Sequence, residues 1–398
     1  MQFAERLNNV ETSAIRELFK LLGKPGIISF AGGFPDSALF DVAGIRAASE
    51  AALSHEPGAA LQYGATEGYQ PLREQLATFM AAKGVSGVAA TDLVVTTGSQ
   101  QALDLLGKTM ISPGDKVIVE GPTFLATIQC FRLYGAEVIS APIDDQGVDT
   151  DALEKLIAEH QPKMVYLIPT FGNPSGATLS LERRKKVLAL AVKYQTLVVE
   201  DDPYGDLYFD APPPPSLLAL SAQVPGSRDW LAHCGSLSKV LSPGLRIGWL
   251  VAPEALRDRA VMCKQFSDAN TSTFAQATAA QYLQAGNMPA TLAKVRAVYA
   301  ERAQAMGDAL RKELGDAASF VAPQGGLFLW VRLTGARGQL QDANVLAKRA
   351  IDKGVAFVPG PPFFAQNPDV SSFRLSFATA DVARIQDGMA RLGQALRG

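Results

Sequence analysis

The chain has 398 residues, 47% hydrophobic and 19% charged, which supplies a large packed core and argues against a disordered chain. Its 37 basic and 39 acidic side chains leave a net charge of −2, so no nucleic-acid or membrane partner is implied and small molecules are the expected ligands. The three cysteines (Cys130, Cys234, Cys263) and three histidines (His55, His160, His233) are scattered, without disulfide-framework or metal-ligand spacing.

The N-terminal MQFAERLNNVETSAIRELFK is charged throughout and lacks the apolar core of a signal peptide, which reads as a cytoplasmic protein. Within it, Ile15, Leu18, Phe19 and Leu22 form one stripe behind Ser13 as N-cap and ahead of Gly23 and Pro25, predicting a short amphipathic helix whose polar face carries Arg16. IISFAGGFPD then runs an extended segment into a Gly32-Gly33 turn closed by Pro35, a candidate pocket wall.

From about residue 41 to residue 285 short apolar runs (LVVTT, KVIVE, AEVIS, MVYLIP, LVVED, LRIGWLVA) alternate with helical ones such as SQQALDLLGKTM and LERRKKVLALAVKY. That alternation predicts a mostly parallel sheet covered by helices on both faces, with ligands beyond the strands' carboxyl ends. Residues following those runs are therefore the candidates. After LVVTT, Gly98-Ser99-Gln100 opens a helix and offers backbone N–H groups to an anion, without the pattern of a nucleotide P-loop. After KVIVE comes Phe124, an aromatic suited to stacking on a planar ring. After MVYLIP comes the turn Asn173-Pro174-Ser175-Gly176. In LVVEDDPY, period-two alternation sends Asp201 to the face opposite Glu200 and Asp202, so one acid of the three enters the pocket.

The run GSLSKVLSPGLRIGWL, residues 235–250, concentrates the chemistry. Arg246, expected as a buried cation inside the apolar strand LRIGWLVA, implies an anion, and beside the hydroxyls of Ser236 and Ser238 it suits a phosphate, while a lysine in a dry pocket, Lys239, becomes a nucleophile toward carbonyls. One small molecule needs both an aldehyde partner and a phosphate clamp: pyridoxal 5'-phosphate. Beyond residue 286 a long helix over 288–314 precedes SFVAP, GGLFLWVRL, GVAFVPG and SSFRLSFA, predicting a smaller α+β unit completed by the N-terminal segment. The expected division is 41–285 for the large unit and 1–40 with 286–398 for the small one.

S-x-S-K followed by P-G-x-R-x-G-W, together with N-P-x-G, D-x-x-Y and YG-x-x-x-G in LQYGATEGYQPL, resembles class I pyridoxal-phosphate aminotransferases of fold type I, in that family's order along nearly the whole chain. The resemblance implies a large domain with a seven-stranded-type sheet and a ping-pong transfer of the amino group of an L-amino acid to a 2-oxo acid. Under it, Lys239 carries the cofactor as a Schiff base and moves the proton. Asp201 pairs with the pyridine nitrogen, where a carboxylate keeps the ring protonated and electron-withdrawing. Tyr204 and Asn173 meet the 3-oxygen, Phe124 stacks on the ring without the hydroxyl often found there, and Gly98, Ser99, Gln100, Ser236, Ser238 and Arg246 form the phosphate cup. Tyr63 reaches the phosphate of a neighbouring subunit's cofactor, implying a homodimer with shared active sites. Arg374, with Asn173, holds the substrate α-carboxylate. S-x-I-R-E-L and S-F-A-G-G-F-P further resemble the 2-aminoadipate, kynurenine and broad-specificity subgroup, in which Arg16 meets a distal carboxylate and Gly33 lets the loop close. The implied donors are 2-aminoadipate, aromatic or leucine-like amino acids, with 2-oxoglutarate as acceptor. A β-lyase or racemase using the same residues remains open, as does an aminotransferase-like regulatory protein.

Overall fold

The structure is a computed structural model describing residues 1, 3–7, 26–335 and 340–398. The predicted helix over residues 12–22, with Arg16, lies outside the described residues. Strands in chain order are β1 (Ile28–Ser29), β2 (Leu93–Thr97), β3 (Lys116–Gly121), β4 (Glu137–Asp144), β5 (Gly147–Val148), β6 (Met164–Leu167), β7 (Leu197–Asp202), β8 (Leu231–Ser236), β9 (Ile247–Val251), β10 (Ala318–Phe320), β11 (Phe328–Leu333), β12 (Val355–Ala356), β13 (Val358–Pro359) and β14 (Ser372–Ser376).

Eight of them form the main sheet in the order β2-β9-β8-β7-β6-β3-β4-β5. The sheet is mostly parallel, as the alternation of elements predicts, but β9 runs antiparallel to both neighbours. The eighth strand beyond the expected seven, β5, is a two-residue hairpin partner of the end of β4. The apolar-run criterion passes over β8, LAHCGS, because His233, Gly235 and Ser236 interrupt its pattern. Every residue of β8 is nevertheless buried. His233 is accommodated by an Nδ1 contact of 2.8 Å to Glu200 Oε2. Gly235 lies opposite Trp249 in the β8–β9 register, and a Cβ on it would fall 2.1 Å from the indole. Glycine is thus what lets the indole lie across this strand pair. Other strands, such as the edge strand β2 in its run LVVT and the central β6 in MVYL, are buried on both faces and need no alternation.

Helices Ser99–Met110, Leu181–Tyr194 and Met288–Leu314 coincide with the runs that periodicity marks out. The second sheet is antiparallel, in the order β10-β11-β14-β13, and carries Arg374 on β14 opposite Trp330 and Val358. Parallel pairing of β1 with β12, with the Ser376 N–H donating to the Phe30 carbonyl (2.8 Å), fixes the following residues 31–34 over the carboxyl ends of the main sheet. Among the described residues no helix is long and apolar enough to cross a membrane.

One close approach ties sheet to site. A Cβ on Gly248 in β9 would lie 2.6 Å from the backbone of Gly98 and Ser99 and 2.9 Å from the Gly235 carbonyl. Backbone cannot rotate aside as a side chain does, so Gly248→Ala is expected to lower stability by about 1–3 kcal/mol in urea denaturation. The control Gly244→Ala, whose Cβ meets only Ser242 Oγ at 3.6 Å, should stay within about 0.5 kcal/mol of the parent.

Candidate active site

A cleft of about 380 Å³ opens beyond the carboxyl ends of β2, β3, β6, β7 and β8, lined on that side by Ser99, Phe124, Asn173, Asp201, Tyr204 and Lys239, and on the other by Gly33 and Arg374. This is where a parallel sheet leaves side chains without a following strand to cover them.

Lys239 follows β8 by three residues and donates from Nζ to the Gly33 carbonyl at 2.9 Å. Among the described residues no carboxylate pairs with it. Burial first, then the positive charges of Arg246 and Arg374, bring its pKa from 10.5 to about 8, against the opposing pull of Asp201. Elsewhere the fold treats a buried lysine differently: Lys264, fully buried, is locked by Asp268 at 2.8 Å and Thr271 at 3.0 Å. Lys239 has been left with a free-amine fraction near neutral pH, which is what a nucleophile toward carbonyls requires.

Asp201, on β7, is buried and presents two differently placed oxygens. Oδ2 accepts a 2.7 Å hydrogen bond from the Tyr166 hydroxyl, while Oδ1 is buried without a partner. Burial pushes the carboxyl up to about 7, and the bond from Tyr166 acts in the opposite direction. Its neighbours are directed elsewhere. Glu200 accepts from the N–H groups of Leu217 and Leu218, and Asp202 accepts from Gly205 N–H. Tyr204 is buried, with its phenol pushed well above its ordinary pKa by desolvation, and meets Phe328 edge to face at 5.8 Å. Phe124 stands at the head of helix Leu125–Leu133 and lines the same cleft.

On the opposite flank, Gly98 takes φ +77° ahead of helix Ser99–Met110, whose first N–H groups have no intrahelical partner. A Cβ there would sit 2.5 Å from the Arg246 guanidinium, so the glycine brings helix start and cation together. Ser236 and Ser238 are buried, and Arg246 Nη1 donates to Ser238 Oγ at 3.4 Å. The expectation of a buried Arg246 inside an apolar strand is corrected. Arg246 precedes β9 at φ +56° and is exposed, its guanidinium held at the mouth by the carbonyls of Pro243 (3.2 Å) and Thr97 (3.3 Å). An arginine at the mouth keeps its charge hydrated until an anion arrives, which costs far less than burial. Gln100 is also exposed.

Arg374 is 2% exposed and sits between the rings of Phe328 and Phe363, at 4.3 and 4.9 Å from their centroids. Nη1 donates to Asn173 Oδ1 and Nη2 to the Ala31 carbonyl, both at 2.7 Å, while Nε has no partner. Desolvation lowers its pKa to about 10. Arg184, equally buried, spreads its donors over three carbonyls and Thr170 and belongs to the framework. A Cβ on Gly33 would lie 3.2 Å from the Phe328 ring and 3.7 Å from Arg374 Nη1, so glycine admits the loop against both. Tyr63 is 85% exposed and does not line this cleft. Arg16 lies outside the described residues. The apolar-run reading leaves Tyr166, Phe328 and Phe363 as plain strand or loop residues. For Tyr166 the available signal is a hydroxyl inside the run MVYLIP, which a buried strand must satisfy.

The bare Asp201 Oδ1, the desolvated Lys239 amine and the anion seat at Gly98 and Arg246 together fit pyridoxal phosphate: a ring nitrogen, an aldehyde and a phosphate each find one complement. The family model for aminotransferase class I and II matches residues 27–392. The 2-aminoadipate transaminase of Thermus thermophilus is 42% identical over 100% of this chain and 96% of its own, and the aromatic-amino-acid aminotransferase 1 of Thermococcus litoralis is 36% identical over 99% and 94%. The crystal structure of the Thermus thermophilus α-aminoadipate aminotransferase, complexed with N-(5'-phosphopyridoxyl)-L-leucine, superposes with a TM-score of 0.90 at 39% identity, over 100% of this chain and 97% of that one. The fold is that of the fold-type-I enzymes, the cofactor is pyridoxal 5'-phosphate, and the chain belongs to the class I and II aminotransferases.

Proposed function

We propose that this aminotransferase takes the amino group from L-2-aminoadipate and from aromatic or leucine-like L-amino acids and gives it to 2-oxoglutarate. The observation that carries this reading is Arg374, a buried guanidinium with an unpartnered Nε, facing a cleft whose remaining lining includes Phe34, Leu125, Ala126 and Ile168. A fixed cation for one carboxylate and an apolar wall for the side chain suit α-amino acids of that kind. The names of the two curated relatives and the leucine adduct of the solved structure support the same range.

The residue roles we propose rest on the family resemblance, supported by this cleft for the residues that line it. Arg374 and Asn173 would hold the substrate α-carboxylate, and Arg16 would meet a distal carboxylate when there is one, with Gly33 admitting the loop that covers it. Gly98, Ser99, Gln100, Ser236, Ser238 and Arg246 would hold the cofactor's phosphate, Phe124 its ring face, Tyr204 and Asn173 its 3-oxygen, and Asp201 its ring nitrogen. When bound, pyridoxal phosphate supplies an electron-withdrawing ring that takes up the electron pair left at the substrate Cα. Lys239, neutral at Nζ, accepts the Cα proton and later returns one, serving both half-reactions as base and acid. Closure of residues 31–34 over the cleft keeps water from that proton.

Residues 41–285 are proposed as the cofactor-binding unit, with 1–40 and 286–398 as the unit that covers substrate. A homodimer is proposed on the exposure of Tyr63, beside Leu61 at 70%, a pair with no role inside its own chain's cleft. A cytoplasmic location is proposed as well.

Lys239→Ala is expected to abolish transfer from 2-aminoadipate to 2-oxoglutarate, by at least about 10³-fold in kcat, measured as glutamate formed. The parent should give parallel double-reciprocal lines when both substrates are varied, and intersecting lines would contradict a ping-pong order. In cofactor-free protein, labelling of Lys239 by an uncharged acylating reagent should rise with pH through a midpoint near the pKa of about 8. About a quarter of the amine is then free near pH 7.5, against about one in a thousand for an ordinary lysine. Arg374→Gln, which removes a neighbouring positive charge, should move that midpoint upward. Arg16→Ala should raise KM for 2-aminoadipate about tenfold and leave that for leucine within about twofold, and equal losses for both would remove Arg16 from the site.

A further inference from the structure

The two oxygens of Asp201 differ because of Tyr166. In the β6–β7 register Tyr166 lies opposite Val199, which places it diagonally from Asp201, two residues further along the same face. A diagonal neighbour is within reach of a long side chain, and the phenol spans the gap to donate to Oδ2 at 2.7 Å. Tyr166 is fully buried and meets Phe131 edge to face at 5.9 Å and 83°, so its ring is held by packing rather than by the carboxylate it serves. A phenol has one proton to donate, and burial together with Asp201 holds Tyr166 far from ionisation. The carboxylate torsion of an aspartate is otherwise a soft, two-fold one. Anchoring Oδ2 therefore determines where Oδ1 points, and Oδ1 is the oxygen without a partner in a residue that lines the cleft. A buried acceptor left bare in a native fold is accounted for when a ligand completes it.

We propose that Tyr166 is a positioning residue for cofactor binding: by tying Oδ2 of Asp201 it presents Oδ1, bare and fixed in direction, to the ring nitrogen of pyridoxal phosphate. The proposal rests on the reading that Asp201 meets that nitrogen. Tyr166 touches neither substrate nor cofactor, and its effect passes entirely through the carboxylate.

The test compares two ligands on the cofactor-free protein, pyridoxal phosphate and its analogue with C–H in place of the ring nitrogen, by equilibrium dialysis. The parent should bind pyridoxal phosphate more tightly than the analogue. Tyr166→Phe should weaken pyridoxal phosphate about tenfold and leave the analogue unchanged, since the lost hydrogen bond to a charged group acts only on the nitrogen contact. In an Asp201→Asn background the same Tyr166→Phe change should leave pyridoxal phosphate binding unaltered, because there is then no carboxylate to orient. Equal weakening of both ligands by Tyr166→Phe would make the tyrosine a packing residue and overturn the proposal, as would no change with either. Equal affinity of the parent for the two ligands would sink the Asp201–nitrogen contact itself. A Tyr166→Phe effect that persists in the Asp201→Asn background would equally overturn a role acting through the carboxylate.

Discussion

The site depends on cations that the fold buries without neutralising. Lowering the Lys239 pKa from 10.5 to about 8 means that its charged form is disfavoured by roughly 3 kcal/mol, at about 1.4 kcal/mol for each pKa unit. Arg374 cannot escape in that way, because a guanidinium does not deprotonate near neutral pH. It lies between two phenyl rings with its Nε unsatisfied. Where the fold needs buried cations only for packing it satisfies them, as with Lys264 against Asp268 and Arg184 among its acceptors. Two of the buried atoms without a partner, Asp201 Oδ1 and Arg374 Nε, belong to residues that line one cleft, where the proposed cofactor and substrate would complete them.

Topology explains why these groups meet. Gly98, Phe124, Asn173, Asp201 and Lys239 come from five separate segments, each placed on or shortly after a strand whose carboxyl end faces the same cleft. The antiparallel β9 extends that convergence. By running back between β2 and β8 it delivers Arg246 beside the turn after β2, and the bare Cα atoms of Gly98 and Gly248 are what allow the approach. The second sheet closes the cleft from the other side. Arg374 on β14 and the carbonyls of Ala31 and Gly33 form one hydrogen-bonded lip with Asn173 and Lys239. The 31–33 loop thereby shares hydrogen-bond partners with the residues proposed to hold substrate and cofactor.

Much of this is legible in residues 93–110 and 164–202 and in the run 235–250. Long periodic helices such as Met288–Leu314 can be read directly because amphipathic spacing over 27 residues has few rival explanations. Asp201 can be distinguished from its acidic neighbours by the two-residue period of a strand. The β8 strand was not legible by the same rule. Its polar residues are satisfied by partners distant in sequence, Glu200 for His233 and the Trp249 ring over Gly235. Arg246 lines the cleft but stands exposed before β9 rather than buried within the strand, since local apolarity does not report whether a strand has begun.

By itself the sequence determined the kind of chemistry: a lysine between serines, an acid of chosen face, a glycine-led helix start and an arginine on a half-apolar strand, in an order that one cofactor accounts for. Tertiary structure alone decided which of these groups lack partners. Whether Asp201 Oδ1 is bare, whether Lys239 is desolvated and whether Arg374 has a counter-charge all depend on side chains contributed from elsewhere in the chain, Tyr166, Phe328, Phe363 and the Ala31–Gly33 loop among them. Desolvation and hydrogen-bond saturation are properties of a packed neighbourhood, and no residue carries them in its own identity.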